Sequence, residues 1–533
     1  METRKMSTEK TFEMKSVEEM AIKGLGVPLE PNAEVRVELG PKAMAATMTA
    51  LCLSILLAAL DQTIVTTALP VISQHFGSST GYIWVGSAYV LLNASCAPAW
   101  GKISDNFGRK PMLLLAVATF LAGSLICGLA INIKMLVGGR AVQGCGGGGI
   151  TVLSTIIISD LVPIGKRSMY FALVGIVWAF ASSIGPVVSW RWCFFINLPV
   201  GGFSMLVLWF FLKLKTPTTN LIQGLKAIDW IGTFLVLGGT VMFLIGLDVG
   251  GVIFPWASPQ TLCLLIFGVF AWILFLLNER YLAEEPLMPL VLFSNRQSNF
   301  AFAICFVHGL LFIAGPYYLP LYFQSVLLAS PIKSGVYLSP YLGALSAASF
   351  ATSFWIRKTG KYLLAIRVGL FLTVLGHGLL INLPLGHLWG KIIVYLMIAG
   401  AGIGPNFQSP LIALQNSVDD RHIAPTTATF GFVRNLATSI SIAVGGVIFQ
   451  NYMEAQFTPL QEVLGTDLAL KLSGSGAASH VGLIATLPES ARVVVEASFL
   501  SGLQKLWIFY TGVCGIAIIV SVFMKEKQLK NHF

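Results

Sequence analysis

Charged residues are scarce in this 533-residue chain, where Asp, Glu, Lys and Arg together make up 11% and hydrophobic residues 55%. A water-soluble domain usually carries about 25% charged residues, because its surface has to be solvated. Here the apolar residues fall into runs of roughly 20, the length of a helix that crosses the hydrocarbon core of a bilayer. Strands of a membrane barrel would alternate in polarity over about ten residues. The composition therefore excludes a soluble fold and predicts an all-α polytopic membrane protein.

Motifs for metal, disulfide or nucleotide chemistry are also missing. None of the eight cysteines forms a Cys-x-x-Cys pair, and the seven histidines are scattered without His-x-x-His spacing. No disulfide framework, metal site or metalloenzyme is therefore indicated. The Gly-Lys pairs are followed by Ile, Arg or Tyr, never by the Ser or Thr that completes a nucleotide-binding loop. We expect no enzymatic activity, no cofactor, no metal and no ATP.

The net charge of +10 comes without a basic stripe or a nucleic-acid motif. If the N-terminus is cytoplasmic, the inner loops and C-terminal tail hold eighteen Lys and Arg residues, and the outer segments hold seven. Membrane proteins show this excess of basic residues on their cytoplasmic side. The bias predicts that both termini face the cytoplasm, and it accounts for the charge without a nucleic-acid partner.

The apolar runs predict a domain plan of six helices, two extra helices and six helices. Many transporters consist of such repeated halves, with substrate bound between them near the midplane. The single glycosylation sequon, at Asn93, lies inside a predicted span, so no glycosylation is expected. In the outer loop, residues 473–479 are rich in Gly, Ser and Ala and are predicted to be flexible.

The fourteen predicted spans are 45–69, 82–100, 112–131, 135–159, 168–188, 192–212, 230–249, 259–278, 300–323, 332–356, 363–382, 391–413, 425–450 and 503–524. The predicted domains are a cytoplasmic N-terminal tail (1–44), an N-terminal six-helix half (45–212), a linker with the two extra helices (213–299), a C-terminal six-helix half (300–524) with an outer loop (451–502), and a cytoplasmic tail (525–533).

The sharpest motif is the inner loop at 101–113, Gly-Lys-Ile-Ser-Asp-Asn-Phe-Gly-Arg-Lys-Pro-Met-Leu. Gly108 permits a tight turn, and Asp105 can either pair with Arg109 or lie at a helix N-terminus. Arg109 and Lys110 hold the loop in the cytoplasm, but an ordinary inner loop needs only the charge and not this spacing. The pattern resembles the loop signature of the major facilitator superfamily, with Gly101, Asp105, Gly108, Arg109 and Lys110 at its key positions.

Three further segments agree with this resemblance. Residues 60–65 and 68–72, Leu-Asp-Gln-Thr-Ile-Val and Ala-Leu-Pro-Val-Ile, look like the first-span signature of the fourteen-helix drug:proton antiporters. Residues 139–146 are similar to their fourth-span motif, and residues 190–201 to the entry to their sixth span. In fungi this group includes exporters of toxins and other secondary metabolites, which the chain most resembles. The resemblance implies the major facilitator fold and proton-coupled export of a small organic molecule.

Asp61 and Arg140 lie inside predicted spans, where a charge costs about 2.5–3.5 kcal/mol on insertion scales and so indicates a partner or a function. Arg140, Gln143 and Gly144 share one helical face through their spacing, and a glycine-lined face can approach a neighbouring helix closely. The resemblance implies that Arg140 assists proton coupling, with Asp61 the nearest acidic candidate. A purely structural role remains the alternative for both residues.

The second half carries Arg434 in the thirteenth span and a Gly-Pro-Asn-Phe-Gln segment at 404–408 in the twelfth. Broken helices with amides line substrate paths in some transporters, and in others such side chains hold helices together. Arg434 joins Asp61, Arg140 and Gln143 as a candidate for proton coupling and transport. Aromatic residues that would offer a surface to an amphipathic substrate, if they face the cavity, are Trp84, Trp178, Phe180 and Tyr341.

Gly185 and Pro186 match the packing motif at the end of the fifth span, but the chain departs from the family pattern directly after them. The Gly-Gly pair and linker residues that normally follow are missing, and Ser189-Trp190-Arg191 comes almost at once. About 21 residues at 1.5 Å each still cross the membrane. The departure concerns the outer end of the fifth helix.

The resulting hypothesis is a monomeric secondary exporter whose partners are protons, a small-molecule substrate and the lipid bilayer. A siderophore or basic amino-acid carrier of the same group is an alternative, and so is a non-transporting membrane receptor. The expected location is a membrane, with the plasma membrane favoured over a vacuolar or vesicle membrane.

Overall fold

The computed structural model describes residues 40–76, 79–183, 190–212, 214, 224, 226, 228–251, 253–419 and 422–529. Within these ranges the architecture is helical, with one isolated β-bridge between Gly250 and Phe254 and no strand. The first helices are α1 (Pro41–Phe76), α2 (Ser79–Phe107), α3 (Arg109–Gly128), α4 (Ile133–Leu161), α5 (Ile164–Ser183), α6 (Trp192–Phe195), α7 (Asn197–Phe211), α8 (Trp230–Val249) and α9 (Pro259–Tyr281).

The remaining helices follow a short 3₁₀ turn at Leu290–Phe293. They are α10 (Arg296–Ser325), α11 (Pro331–Tyr337), α12 (Ser339–Thr359), α13 (Leu363–Leu380), α14 (Trp389–Ile403), α15 (Ser409–Ser417), α16 (Ile423–Ala455), α17 (Phe457–Leu464), α18 (Thr466–Leu472) and α19 (Glu489–Val522), with 3₁₀ segments at Gly404–Asn406 and Gly474–Thr486.

The prediction of an all-helical multi-pass membrane fold is confirmed. In the described part of the chain, 11 helical segments are long and apolar enough to cross a membrane. Each of the predicted spans coincides with helical residues, but α2, α5 and α12 are not among those 11. The count of fourteen spans therefore stays a prediction.

The Gly-Pro-Asn segment of the twelfth span breaks its helix, as its sequence indicates. Helix α14 ends at Ile403, Gly404–Asn406 forms a 3₁₀ turn, and α15 begins at Ser409. The turn gives Asn406 and Gln408 different surroundings. The Asn406 amide donates to the Ile366 carbonyl at 3.3 Å and so ties α13 to the break, whereas Gln408 lines a cavity. The structure thus shows a contact between helices for Asn406, and a role of Gln408 in a substrate path stays a prediction.

Helix α4 packs unusually close to α2 on one side and α3 on the other because it carries glycines on both faces. A methyl group added at Gly144 would lie 2.2 Å from the Tyr89 carbonyl oxygen of α2, and one at Gly146 would lie 2.4 Å from the Phe120 nitrogen of α3. Such distances are far below van der Waals contact, so these positions accept no side chain. The glycines bring the polar face of α4 directly against its neighbours.

The two extra helices, α8 and α9, form a hairpin. Asp229 caps α8 by accepting a hydrogen bond from the Gly232 amide at 2.8 Å, and Ser258 caps α9. The bend between them includes Gly251 with φ of 72°, in the left-handed region that favours glycine. Helix α8 also packs against α2 and α16, so the inserted pair contacts helices from both ends of the chain.

The outer loop differs from its prediction. Helix α16 continues to Ala455 and α19 already begins at Glu489. The residues between them fold into α17, α18 and the 3₁₀ segment Gly474–Thr486, which buries Ala477, Val481 and Ile484. Residues 473–479 are expected to be flexible from their Gly and Ser content. The structure places residues 474–479 in this 3₁₀ segment, which packs against α16, α1 and α10.

The described residues form one compact unit. Helix α16 packs against α2 and α5 packs against α12, so helices of the predicted halves are in direct contact. The boundaries of the two halves and of the linker stay a prediction.

Candidate functional site

A buried ion pair joins the first and fourth spans. The Arg140 guanidinium on α4 contacts the Asp61 carboxylate on α1, and the two side chains are 1% and 0% exposed. A buried pair repays the loss of hydration only when further hydrogen bonds complete its geometry. The surroundings of this pair supply them.

Gln143, one turn after Arg140 on α4, bridges the two charges. Its amide oxygen accepts from Arg140 Nη1 at 2.9 Å, and its amide nitrogen donates to Asp61 Oδ1 at 2.7 Å. The same nitrogen contacts Ser124 Oγ of α3 at 2.7 Å, and Asn197 at the start of α7 donates to that oxygen at 3.2 Å. Five polar side chains from four helices therefore form one buried network.

Helix α2 completes the surroundings of Arg140. The Arg140 Nε donates to the Val85 carbonyl at 3.0 Å, and the guanidinium lies over the Tyr89 ring, 4.4 Å from its centroid. The Tyr89 hydroxyl in turn donates to the Ala58 carbonyl of α1 at 3.2 Å. Because Gly144 brings α4 so close to Tyr89, the carbonyl and the ring can both reach the cation. We refer to Asp61, Arg140, Gln143, Ser124 and Asn197 as the charge network.

The chemistry available to the charge network is proton exchange and charge pairing. The Asp61 carboxylate accepts hydrogen bonds when ionised, and it would lose its attraction to Arg140 on taking up a proton. The described residues contain no group of three or more His, Cys, Asp or Glu side chains that could hold a metal ion. A change of charge on Asp61 would instead act on the packing of α1 against α4.

The inner loop signature forms a compact electrostatic turn. Arg109 pairs with Asp105 on α2, pairs with Asp160 at the end of α4 at 3.2 Å, and donates to Ser104 Oγ at 2.6 Å. Gly108, with φ of 92°, makes the turn between α2 and α3. Of the two predicted roles of Asp105, the structure shows the pairing with Arg109. The loop thus ties the inner ends of α2, α3 and α4 together.

The other members of the signature link this turn to more distant helices. Lys110 donates to the Trp209 carbonyl of α7 at 2.7 Å, and Lys102 pairs with Glu285 at 2.7 Å. A methyl group at Gly101 would lie 2.7 Å from the Ala428 Cβ of α16. The inner end of α2 therefore packs tightly against the C-terminal helices.

A second contact between the early and late helices was not found from the sequence. Arg167 of α5, 2% exposed, donates to Gln415 Oε1 of α15 at 2.9 Å. Gln415 in turn donates to Ser159 of α4 and Thr427 of α16, each at 2.9 Å. We call Arg167, Gln415, Ser159 and Thr427 the inner latch. The sequence gives no sign of this contact, because Arg167 and Gln415 lie 248 residues apart in the chain.

Arg434 does not join the charge network. It donates to the Phe407 carbonyl, and its guanidinium lies 4.5 Å from the Phe430 ring centroid and 4.8 Å from that of Phe407. It is half-buried and lines a cavity of about 40 Å³, the central cavity, whose polar walls are Thr151 and Thr155 of α4, Gln408, and Thr427 and Asn435 of α16. Of the four residues predicted for proton coupling, the structure brings together Asp61, Arg140 and Gln143 only.

Other predicted positions have mixed outcomes. Gly185 and Pro186 lie outside the described residues, as do the side chains of Trp178 and Phe180. Tyr341 is fully buried between glycines of α10 and α14 rather than lining one of the described cavities. Asn197 lies inside the 190–201 motif but was not singled out, although its polarity within an apolar run is a readable signal.

The chain is similar to known proteins over most of its length. The family model described as Major Facilitator Superfamily matches residues 51–442. The efflux pump dotC of Dothistroma septosporum is 46% identical over 494 residues, covering 91% of this chain and 85% of that protein. The MFS-type transporter ppz2 of Metarhizium majus is 43% identical, covering 92% and 86%. The efflux pump FUS6 of Gibberella moniliformis is 35% identical, covering 91% and 88%.

Solved structures share the fold at low sequence identity. The human organic anion transporter MFSD10 (TETRAN) superposes with a TM-score of 0.55 at 16% identity, covering 90% of this chain and 100% of that one. An inward-facing bacterial homologue of the human lysosomal transporter Spinster gives a TM-score of 0.56 at 16% identity, covering 91% and 97%.

The fold and these relatives define a multi-pass α-helical membrane transporter for small molecules, and not an enzyme. More narrowly, the chain belongs to the Major Facilitator Superfamily.

Proposed function

We propose that this transporter exports a small organic molecule, a toxin or other secondary metabolite or a drug, in exchange for protons. The observation that carries the proposal is the charge network, in which Asp61 and Arg140 are sealed from solvent at 0% and 1% exposure. An ionisable pair retained inside a membrane bundle marks a proton or ion pathway by default. The names of the relatives dotC and FUS6, both efflux pumps, support export as the direction.

In the proposed cycle, protonation of Asp61 removes the charge that holds Arg140. Gln143 then remains as a hydrogen-bond partner of Arg140, and the contact between α1 and α4 becomes free to change. Breaking a buried pair costs about 3–5 kcal/mol, which is large enough to bias a two-state transporter strongly. Release of the proton on the cytoplasmic side restores the pair and resets the transporter.

Substrate would pass between the early helices and α16. The central cavity lies on this path, and beyond it Asn435 of α16 donates to Asn93 of α2 at 2.7 Å. The inner latch closes the cytoplasmic end. Opening of the inner latch would admit substrate from the cytoplasm to Arg434 and Gln408, which supply a cation and an amide beside the Phe430 ring. A monomer in the plasma membrane, with both termini inside, fits this direction.

The test uses inside-out vesicles from yeast that express the full chain. The vesicles are incubated in a mixture of aromatic drugs and fungal metabolites, and the compounds that accumulate inside them are identified by mass spectrometry. An imposed inward-acidic pH gradient should concentrate a subset of compounds without ATP, and a protonophore should abolish the uptake. The accumulated compound then serves in all later assays. Vesicles that accumulate it from ATP after the gradient has collapsed would contradict proton coupling.

A further inference from the structure

A larger cavity lies at the opposite end of the path from the inner latch. It measures about 60 Å³ and is enclosed by α2, the inserted helix α8, α10 and α16. Its polar lining comes from Ser87 on α2, Asp248 on α8, Tyr317 and Tyr318 on α10, and Gln450 on α16. We call it the outer cavity, because Asp248 and Gln450 lie near the helix ends that the charge bias places outside.

Two hydrogen-bond acceptors in the outer cavity have unused capacity. Ser87 lies beside Asp248 in the lining of the cavity, and a carboxylate can accept about four hydrogen bonds. Asp248 belongs to none of the ion pairs formed among the described residues. The buried Gln450 Oε1 has no hydrogen-bond partner. Buried acceptors without donors are costly, so the cavity is complementary to a molecule that donates hydrogen bonds.

The remaining walls are aromatic and aliphatic. The Tyr318 hydroxyl already donates to the Ile442 carbonyl at 2.7 Å, so this residue offers its ring rather than its hydroxyl. The Tyr317 ring lies 4.9 Å from it, edge to face, and Phe449 and Leu247 also line the cavity. An apolar, preferably aromatic, molecular body matches these walls.

The position of the outer cavity makes it a stage on the proposed path. A smaller cavity of about 10 Å³ shares Ser87, Asp248 and Ile442 with it and extends to Ser439, one helical turn from Asn435. Ala478, from the 3₁₀ segment Gly474–Thr486, also lines the outer cavity. The cavity is therefore bounded by both sets of helices, by the inserted pair and by the outer segment.

We propose that the outer cavity is a substrate exit site, and that Asp248 selects molecules with an apolar aromatic body and a hydrogen-bond-donating head, either an ammonium or a hydroxyl group. This inference rests on the proposed export function. A volume of about 60 Å³ holds only water, and sites for drug-sized ligands measure about 300–1,000 Å³. The site reaches that size when the helices separate at their outer ends. The inserted helix pair thereby contributes to specificity.

The test needs no transport. Ala478→Cys is introduced into the full chain in lipid nanodiscs, and modification of the introduced thiol by N-ethylmaleimide is followed by mass spectrometry of the peptide. The probes are 2-naphthylmethylamine, 2-naphthalenemethanol and 2-methylnaphthalene, which differ only in the head group. We expect the amine and the alcohol to protect the introduced thiol at roughly tenfold lower concentration than the hydrocarbon, the factor expected for a hydrogen bond to a charged group.

Two variants on this background identify the head group. Asp248→Asn should weaken protection by the amine about tenfold. Asp248→Ala should weaken protection by the alcohol by a similar factor. Asp467→Asn, which changes an exposed carboxylate of α18, is the control. In this variant the probes should protect the introduced thiol as they do in the parent. Equal protection by all three probes, or no effect of either Asp248 variant, would overturn the proposal. The gradient-driven transport assay is a separate experiment. A failure to find proton coupling there would not change the interpretation of the thiol-protection result.

Discussion

Two arginines inside the membrane bundle are accommodated in opposite ways. Arg140 is sealed among α1, α2 and α4 and paired with Asp61, whereas Arg434 is half-buried beside a cavity, and its described contacts are a backbone carbonyl, the Cys305 thiol and two aromatic rings. A sealed charge needs a full counter-charge, but a charge beside a cavity can rely on weaker partners and on water. The difference separates a candidate coupling residue from a candidate substrate contact.

The largest expected effect comes from removing the paired cation. Arg140→Ala should abolish gradient-driven efflux while membrane insertion and substrate binding remain largely intact, because Asp61 is left as a buried charge without its partner. Arg140→Lys keeps the charge but not the planar fork of donors, so partial activity is expected. Energised efflux and equilibrium binding of the accumulated compound are measured together for both variants.

Two further variants separate coupling from stability. Arg140→Gln combined with Asp61→Asn removes both charges and should recover most of the thermal stability lost in Arg140→Ala, about 3–5 kcal/mol, without recovering efflux. Ser54→Ala removes a buried hydroxyl of α1 that contacts Ser204 and serves as the control. If Arg140→Ala folds, binds and pumps at the wild-type rate, Arg140 is only structural.

Loss of Arg434, which forms no ion pair with the residues that the structure describes, should be milder and of a different kind. Arg434→Ala removes contacts with two rings, each worth about 0.5–2 kcal/mol, and opens the central cavity. We expect weaker substrate binding, measured from the concentration dependence of efflux. The number of protons moved per substrate molecule should be unchanged, as recorded with a pH-sensitive dye. Val433→Ala, its partly buried neighbour on α16, is the control. A changed proton-to-substrate ratio would show that Arg434 belongs to coupling after all.

The inner latch offers an intermediate case, a buried arginine held by an amide. Gln415→Ala removes the hydrogen bond that Arg167 donates to Gln415 and should cost about 1–3 kcal/mol. We expect the inner end to open more often, so that Thr155→Cys at the central cavity reacts faster with a thiol reagent from the cytoplasmic side. Thr359→Ala, at an exposed helix end, should leave that rate unchanged. An unchanged rate in Gln415→Ala would show that the latch is not a gate.

The smallest effect concerns orientation, on which the assignment of inner and outer ends depends. Lys471→Cys removes an exposed pair with Asp467, and such surface pairs contribute little to stability. Efflux should be unchanged, and an impermeant thiol reagent should label the residue from outside only. Cys263, the native exposed thiol, is replaced by Ser in the same background. Labelling from the cytoplasmic side alone would reverse the assignment.

Much of this arrangement could be predicted from the amino-acid sequence. The apolar runs predicted the long helices but not α17 and α18, because backbone groups in lipid must be satisfied within a segment. The glycine spacing of α4 predicted its close packing. The inner loop motif gave both partners of the Asp105–Arg109 pair, since they lie one turn apart. Asp248 is also an acidic residue within a predicted span, yet its significance depends on Gln450, which is distant in the chain.

The sequence by itself determined the membrane class, the helical segments, the basic bias and the family resemblance, because these follow from composition and from spacing within one helix. Only the tertiary structure decided that Asp61 meets Arg140, that Arg434 stands apart, that Arg167 reaches Gln415, and that the outer segment folds over a cavity. Each of these joins residues far apart in the chain, through the packing of helices whose rotation and depth no local pattern specifies.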